Sequence, residues 1–442
     1  MNIITRLYRK TGWHAVFNYS DEFGAARSDL LFGGIFANTV AALAEGVFFT
    51  GFLLCYGIDI VNISILTAVP LVTSVFSLLT PRLLAPFKKR KVILSVSRIL
   101  YYVIRIVGIT VLPQVIQSDT GRIWGLIAIT FLSSSINFAF SSGYSVWHMH
   151  YIVPEVRAPY YAATNIVCTA FSLVIPMLIS PWVDSLAGEA RLDALVFLRI
   201  LAIAFALVDT FFYQRPNEPE YAESSDHHSL LDIFRIPLGN SRFMLTMAIY
   251  GLYALAINVA NPLVNTWLLD EIKTGFSYTS VLAFMYIPLA ALTQSFWSRL
   301  FQRKGTFRVL ALSLMLYVPT RVMAAFVTHE NYMWLMTIAR IIEHSIWMGA
   351  VVSVNNLIYV NLPKEDQTCF LSFYTLLGNV ISFAGRMLGT AVVALIGTGR
   401  IGIAGFQFGA VPAAHLLEGL LVTVTAAFTL LIRKKVDTER VV

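Results

Sequence analysis

The chain has 442 residues, of which 57% are hydrophobic and only 13% charged, with a mean hydropathy of +0.70. A soluble domain carries about 25% charged residues, so a soluble enzyme or nucleic-acid-binding domain is excluded, despite a net charge of +7. Cys55, Cys168 and Cys369 are too few and too scattered for a disulfide framework or a zinc site, and no cofactor is expected.

Residues 1–28 contain Arg6, Arg9, Lys10, Asp21 and Glu22 without a cleavable apolar core, and read as a cytoplasmic segment rather than a signal peptide. Six apolar runs of helical length follow at about 29–54, 60–84, 92–112, 122–147, 160–183 and 192–213. Each reaches or approaches the roughly 20 residues that a membrane crossing needs. The longest polar stretch, 214–241, carries Pro216, Glu218, Pro219, Glu220, Asp226, His227 and His228, and reads as a cytoplasmic linker whose end, Leu230 to Arg235, forms a short surface helix. The His227–His228 pair is isolated, and no metal role is expected for it. Six more runs lie at about 242–268, 276–300, 307–327, 332–358, 368–396 and 408–432. The expected organisation is an all-α membrane protein with six-helix bundles at 29–213 and 242–433 and a cytoplasmic tail at 434–442.

The two halves repeat. Arg82, Lys91 and Val92 fall on Arg299, Arg308 and Val309 at an offset of 217, and Leu100, Tyr101 and Arg105 fall on Leu316, Tyr317 and Arg321 one residue earlier. Pro154 and Tyr161 match Pro363 and Phe370 at 209, a drift that loop shortening would produce. An even number of spans places both termini on one side. That side collects Arg27, Arg157, Arg215, Arg235, Arg242, Lys364, the tail cluster Arg433–Lys435 with Arg440, and the loops holding Arg82, Lys88, Lys89, Arg90 and Arg299, Arg303, Lys304. The other side holds only Arg122, Arg191, Lys273 and Arg400. The positive-inside rule then puts both termini in the cytoplasm, and a bacterial cytoplasmic membrane is the expected location.

Arg98, Arg105, Arg199, Arg321, Arg340 and Arg386 lie within spans. A basic side chain at mid-membrane costs about 2.5–3.5 kcal/mol on the insertion scale. Arg98, Arg199 and Arg340 lie near enough to span ends to snorkel; Arg105, Arg321 and Arg386 need partners or water. Arg105 and Arg321 read as a repeat-related pair of structural anchors.

Polar side chains recur at helical spacing on every third span. Span 1 has Asn38 and Glu45; span 4 has Asn137, Ser141, Tyr144 and His148; span 7 has Asn258, Asn261 and Asn265 beside Pro262; span 10 has Arg340, Glu343, His344, Trp347 and Asn355. Singly, an asparagine here can do no more than bond a neighbouring helix. Together the stripes suggest a wetted solute path, joined by Tyr374 and by Arg386 beside the small-residue ridge Gly378, Ser382, Gly385 and Gly389 on span 11. Glu45 is an expensive lone acid unless neutral or paired with an arginine. It is the first candidate to carry a proton, with Glu343 and His344 second and Arg340 their charge partner. Arg340, Glu343 and His344 can instead satisfy one another, as can His415 and Glu418 on span 12.

This pattern resembles the major facilitator superfamily over nearly the whole chain: twelve spans in two halves, a central linker, and basic loops after spans 2 and 8. The family's loop motif survives only at its basic end, as Lys88–Lys91 and as Arg303–Lys304, without its aspartate. The resemblance implies a substrate path along spans 1, 4, 7 and 10, movement between two access states, and conformational roles for the basic loops. The expected function is secondary transport of a small solute in the lipid bilayer, with protons as a coupling ion, no nucleic-acid partner and no requirement for an oligomer. No phosphate-cradling glycine loop followed by Lys-Ser or Lys-Thr occurs, so ATP hydrolysis is not expected. A lipid flippase on the same fold is the alternative. A membrane-embedded transferase is disfavoured by short external loops, and no enzymatic activity is expected.

Overall fold

A computed structural model describes residues 13–218, 231–363 and 365–436. The readings placed on Arg6, Arg9, Lys10, Pro219, Glu220, Asp226, His227, His228, Lys364 and Arg440 lie outside the described residues. Among the described residues, twelve helical segments are long and apolar enough to cross a membrane. The first six are Glu22–Cys55, Ile60–Leu84, Lys91–Val115, Asp119–Tyr151, Glu155–Asp184 and Gly188–Gln214. The second six are Ser241–Asp270, Gly275–Lys304, Thr306–Ala325, Tyr332–Val360, Cys369–Ile396 and Ala410–Val436. Every run read from the sequence coincides with one of them. A short helix, Asp232–Leu238, precedes span 7, where the linker was expected to end in one. Large apolar side chains such as Trp124, Leu178, Leu395 and Leu431 stay exposed, as they do when lipid replaces water.

The chain packs as two compact units, Met1–Ile58 with Thr73–Ser224, and Asp59–Val72 with Ser225–Val442. The first half of span 2 groups with the second unit. There Ser64 and Thr390 share a hydroxyl hydrogen bond of 2.7 Å, and Arg386 Nη1 donates to the Thr67 carbonyl at 2.7 Å. Ile60 and Val61 pack on the apolar cluster around Val259, Leu263 and Trp267. In the first unit, Ala26, Leu84, Leu94, Trp147 and Tyr151 form one apolar core.

Spans 1 and 7 are broken where polar residues sit, while span 2 tightens into a 3-10 turn at Ser74–Leu79 and span 8 is interrupted at Met285. Span 1 is helical over Glu22–Ala44 and again over Gly46–Cys55. Between them Glu45 is extended (φ −124°, ψ −168°) and Gly46 has φ +58°, a left-handed conformation that glycine adopts without penalty. A break frees backbone groups that lipid cannot satisfy, and Arg199 Nη1 meets one of them by donating to the Ala44 carbonyl at 2.9 Å. Span 7 is helical over Ser241–Ile257, continues through a tight turn at Asn261–Leu263, and resumes at Val264–Asp270. Pro262 has no N–H to give the helix, and Asn258 Nδ2 caps the Ala254 carbonyl at 2.8 Å. Span 3 widens into a π-helical segment at Val103–Gly108, around Arg105.

The glycine ridge of span 11 seats the break in span 7. A Cβ on Gly385 would lie 2.3 Å from the Leu255 carbonyl oxygen, and one on Gly389 only 1.9 Å from that of Val259. Both obstacles are backbone and cannot swing aside. Between spans 11 and 12, strands β1 (Ile401–Ile403) and β2 (Phe406–Phe408) pair antiparallel, turning at Ala404 and Gly405, both with positive φ. Replacing Gly389 by alanine is expected to lower thermal stability of the purified protein by about 1–3 kcal/mol, as overpacking does; an unchanged melting profile would contradict this contact.

Candidate functional site

In the first unit the polar residues resolve into two arginine clusters. Both oxygens of Glu45 accept from Arg105, at 2.8 Å from Nε and 3.0 Å from Nη2. The Arg105 side chain is 8% exposed and that of Glu45 35%, so the pair is dry at one end and open at the other. Arg199 lies near it, with Nε donating to Thr110 at 2.7 Å and its guanidinium 5.0 Å from the Phe52 ring centre.

The second cluster surrounds Arg98. Its Nε and Nη2 grip Asp209 at 2.8 and 2.9 Å, Tyr102 donates to the same carboxylate at 2.6 Å, and the Tyr213 ring lies 4.1 Å away. The expectation that Arg98 and Arg199 snorkel is therefore corrected: Arg199 is 2% exposed and Asp209 is fully buried. Internal partners made snorkelling unnecessary. Asp209 went unread because a lone acid on span 6 carries no local sign of an arginine on span 3. Tyr144 belongs to this cluster too, its hydroxyl donating to the Leu94 carbonyl and its ring lying 5.4 Å from Arg98. Asn38 bonds its own helix through the Gly34 carbonyl at 2.8 Å, and Asn137 is half-buried.

The second unit holds a larger network. Glu343 accepts from Arg321 through Oε2, and from Arg340 through Oε1 at 2.7 Å. His344 does not join them; its Nε2 meets the Leu282 carbonyl at 3.0 Å. On span 12, Glu418 Oε1 accepts from the Tyr317 hydroxyl at 2.8 Å and lies 3.9 Å from Arg321 Nη1. His415 and Glu418 do not satisfy each other as expected, since their nearest approach is 3.9 Å. Trp347 lies against Tyr253 and Tyr317, and Tyr374 stacks on Tyr250 at 4.1 Å.

Arg386 differs from the other intramembrane arginines. Besides Thr67, its only hydrogen-bond partner among the described residues is Asn258 Oδ1 at 3.4 Å, and no carboxylate lies within ion-pair range. On span 7, Asn258 and Asn265 are half-buried and Asn261 is exposed.

The expected loop residues Arg82, Lys88, Lys89, Arg299, Arg303 and Lys304 are exposed. Arg90 and Lys91 give their backbone N–H groups to the Glu218 carboxylate, and Lys91 Nζ reaches the Pro216 carbonyl at 3.3 Å. An acid beyond span 6 thus caps the start of span 3, a contact the loop sequence alone does not announce. No group of three or more metal-ligating side chains occurs among the described residues. A cavity of about 1020 Å³ opens in the second unit beside the β-hairpin, lined by Asp59, Trp267, Asp270, Glu271, Arg400 and Phe408 among others. Burial, reinforced by Asp270, pushes the Glu271 carboxyl up from its ordinary value.

No protein-family model and no curated protein matches the chain. Solved structures do. The nucleoside transporter NupG aligns at TM-score 0.69 and 12% identity, over 92% of this chain and 99% of its own. A bacterial homologue of the iron transporter ferroportin, in an inward-facing state, aligns at TM-score 0.66 and 11% identity over 92% and 98%. The Escherichia coli fucose:proton symporter FucP aligns at 0.57 and 12% over 93% and 99%. These likenesses establish architecture, and the fold of this chain is that of the twelve-helix major facilitator transporters.

Proposed function

We propose that this chain is a secondary transporter that carries a small solute across the membrane by alternating access, with both termini cytoplasmic. The observation that carries the reading is the pair of broken spans. Glu45 and Asn261 mark the breaks in spans 1 and 7 and stand 216 residues apart, the same offset as Arg105 and Arg321. Discontinuous helices at corresponding places of a repeat are where transporters of this kind bind cargo and coupling ions. The nucleoside, sugar and metal cargoes named for the structural neighbours support transport as a class and leave the cargo open.

Arg386 narrows the choice. An intramembrane cation without a carboxylate favours a cargo that brings the negative charge itself, so the cargo is an organic anion or a zwitterion, held by Arg386 with Asn258 beside it. Proton coupling supplies the driving force, as in the sugar:proton symporter of the same fold. Span 10 supplies Trp347 and Glu343, and the basic loops with Arg82 and Arg299 move between access states. A flippase reading is tested by the same experiments, through lipid headgroups in the ligand panel.

Thermal-shift measurements across sugars, amino acids, nucleosides, organic anions and headgroup analogues should show stabilisation by an anionic or zwitterionic compound. At a hundredfold excess over Kd the shift corresponds to about 2.7 kcal/mol. Arg386→Ala should weaken that compound at least about tenfold, or roughly 1.4 kcal/mol; stabilisation by neutral compounds alone would rule out the charged cargo.

Glu45→Gln leaves Arg105 without its anion. Stability should fall, by less than the about 3–5 kcal/mol of a fully buried pair, because Glu45 is partly exposed. Adding Arg105→Gln should restore part of the stability while uptake into proteoliposomes of the compound found above stays impaired. Full uptake by the double variant would remove this pair from the transport cycle.

A further inference from the structure

Span 12 carries two buried ionisable side chains that neither the cargo path nor the helix breaks employ. His415 and Glu418 are both 0% exposed. Both ring nitrogens of His415 and the Oε2 of Glu418 have no hydrogen-bond partner among the described residues. Buried polar atoms are nearly always satisfied, and an exception calls for an explanation. Two of the unmet atoms face each other, with His415 Nδ1 3.9 Å from Glu418 Oε2. The other carboxyl oxygen is held by Tyr317.

We infer that His415 and Glu418 hold an exchangeable proton, and that this pair is the proton-loading site of the transporter. The inference rests on the transport reading and deepens it.

A neutral carboxyl has an O–H to donate, and a neutral imidazole has one nitrogen to accept it. A proton on Glu418 Oε2, aimed at His415 Nδ1, makes those two unmet atoms partners after a small rotation and leaves the ring's own N–H on Nε2. The groups facing this site fix its electrical consequence. From span 9 come Tyr317 and Arg321, from span 10 Arg340 and Glu343, and span 7 contributes the Trp267 ring, 5.8 Å from that of His415. With Glu418 neutral, two arginines face the single carboxylate Glu343. Both then bind it, as observed.

On release, the Glu418 O–H bond breaks with its electron pair staying on the carboxylate, the proton forms an N–H bond at His415 Nδ1, and the imidazolium returns to neutral by giving its Nε2 proton to water admitted during the access cycle. That carboxylate lies 3.9 Å from Arg321 Nη1. Arg321 is then drawn from Glu343 on span 10 toward Glu418 on span 12. Proton occupancy on one span thereby sets the grip of an arginine on another, and span 10 carries cargo-path residues.

The other buried acids suit this task less. Both oxygens of Glu45 and both of Glu343 already accept from arginine, so a proton added there must displace an ion pair first.

The test is infrared difference spectroscopy of the purified protein in lipid nanodiscs, titrated between roughly pH 5 and pH 9, a range that lies above ordinary carboxyl groups and spans ordinary imidazoles. Wild-type protein should show a protonated-carboxyl C=O band that disappears as pH rises, and Glu418→Gln should lack it. His415→Asn should retain the band with a displaced midpoint. Persistence of the band in Glu418→Gln, or no titrating carboxyl in the wild type, overturns the proposal. Should Glu418→Gln not fold, Tyr317→Phe decides: it removes only the hydroxyl that supports the carboxylate, so the midpoint must move to higher pH, and an unmoved midpoint overturns the assignment. No cargo is needed for this readout. Its failure therefore leaves transport standing, and an empty cargo screen leaves the titration unaffected.

Discussion

A charge buried among membrane helices must meet an opposite charge or a freed carbonyl, because nothing in lipid replaces its hydration. That requirement ties the helices of each unit together. Glu45 and Arg105 join spans 1 and 3, Asp209 and Arg98 join spans 6 and 3, and Glu343 joins spans 9 and 10 through Arg321. Removing one member of a fully buried pair costs about 3–5 kcal/mol, as much as a large core truncation, and less at the partly exposed Glu45. Apolar side chains cannot impose comparable order here, since their burial against lipid or against protein differs little. The pairs select which helices are neighbours, and glycines such as Gly389 set how closely they approach.

The duplication has diverged at its charges. Arg105 and Arg321 occupy repeat-equivalent positions, yet one binds an acid on span 1 and the other an acid on span 10. Arg199 and His415 stand at the same offset of 216. Arg199 closes the break in span 1 by capping Ala44. In the second unit the break in span 7 is served by Asn258, Pro262 and the close approach of span 11. The position equivalent to Arg199 is thus released from capping, and a titratable side chain stands there beside Glu418.

Composition and run length carried the fold: twelve apolar runs, an even count and a repeat offset leave few other architectures, and each run became a span. The glycine ridge on span 11 was legible for the same reason, since small residues at helical spacing matter only where another backbone approaches. Charge partners were legible only when both members shared a helix, as with Arg340 and Glu343. Arg98 and Asp209, 111 residues apart, were not, because spacing along one helix carries no information about the face of another. The break at Glu45 was hidden as well. Gly46 is one of 26 glycines, and nothing in the residue type announces the positive φ it adopts within a span. The grouping of Asp59–Val72 with the second unit depends on Ser64, Thr67, Thr390 and Arg386 meeting in space, which sequence order conceals.

On the proposed proton-loading reading, one cation within reach of two carboxylates acts as a bistable element, and its energy scale can be set against the work of a transport cycle. Moving a two-state equilibrium from 1:99 to 99:1 takes about 5.5 kcal/mol of differential interaction. A buried ion pair broken on one side is worth about 3–5 kcal/mol, and the pair gained at Glu418 offsets part of the one lost at Glu343, so the transfer of Arg321 provides less than the whole switch requires. Glu343 keeps Arg340 after the transfer, which lowers the contribution further. A proton at span 12 can then bias the access states without committing them, and the remainder has to come from the cargo. That division is what coupling requires: if proton binding alone completed the switch, the protein would leak protons, and if the cargo alone did so, no gradient could drive it.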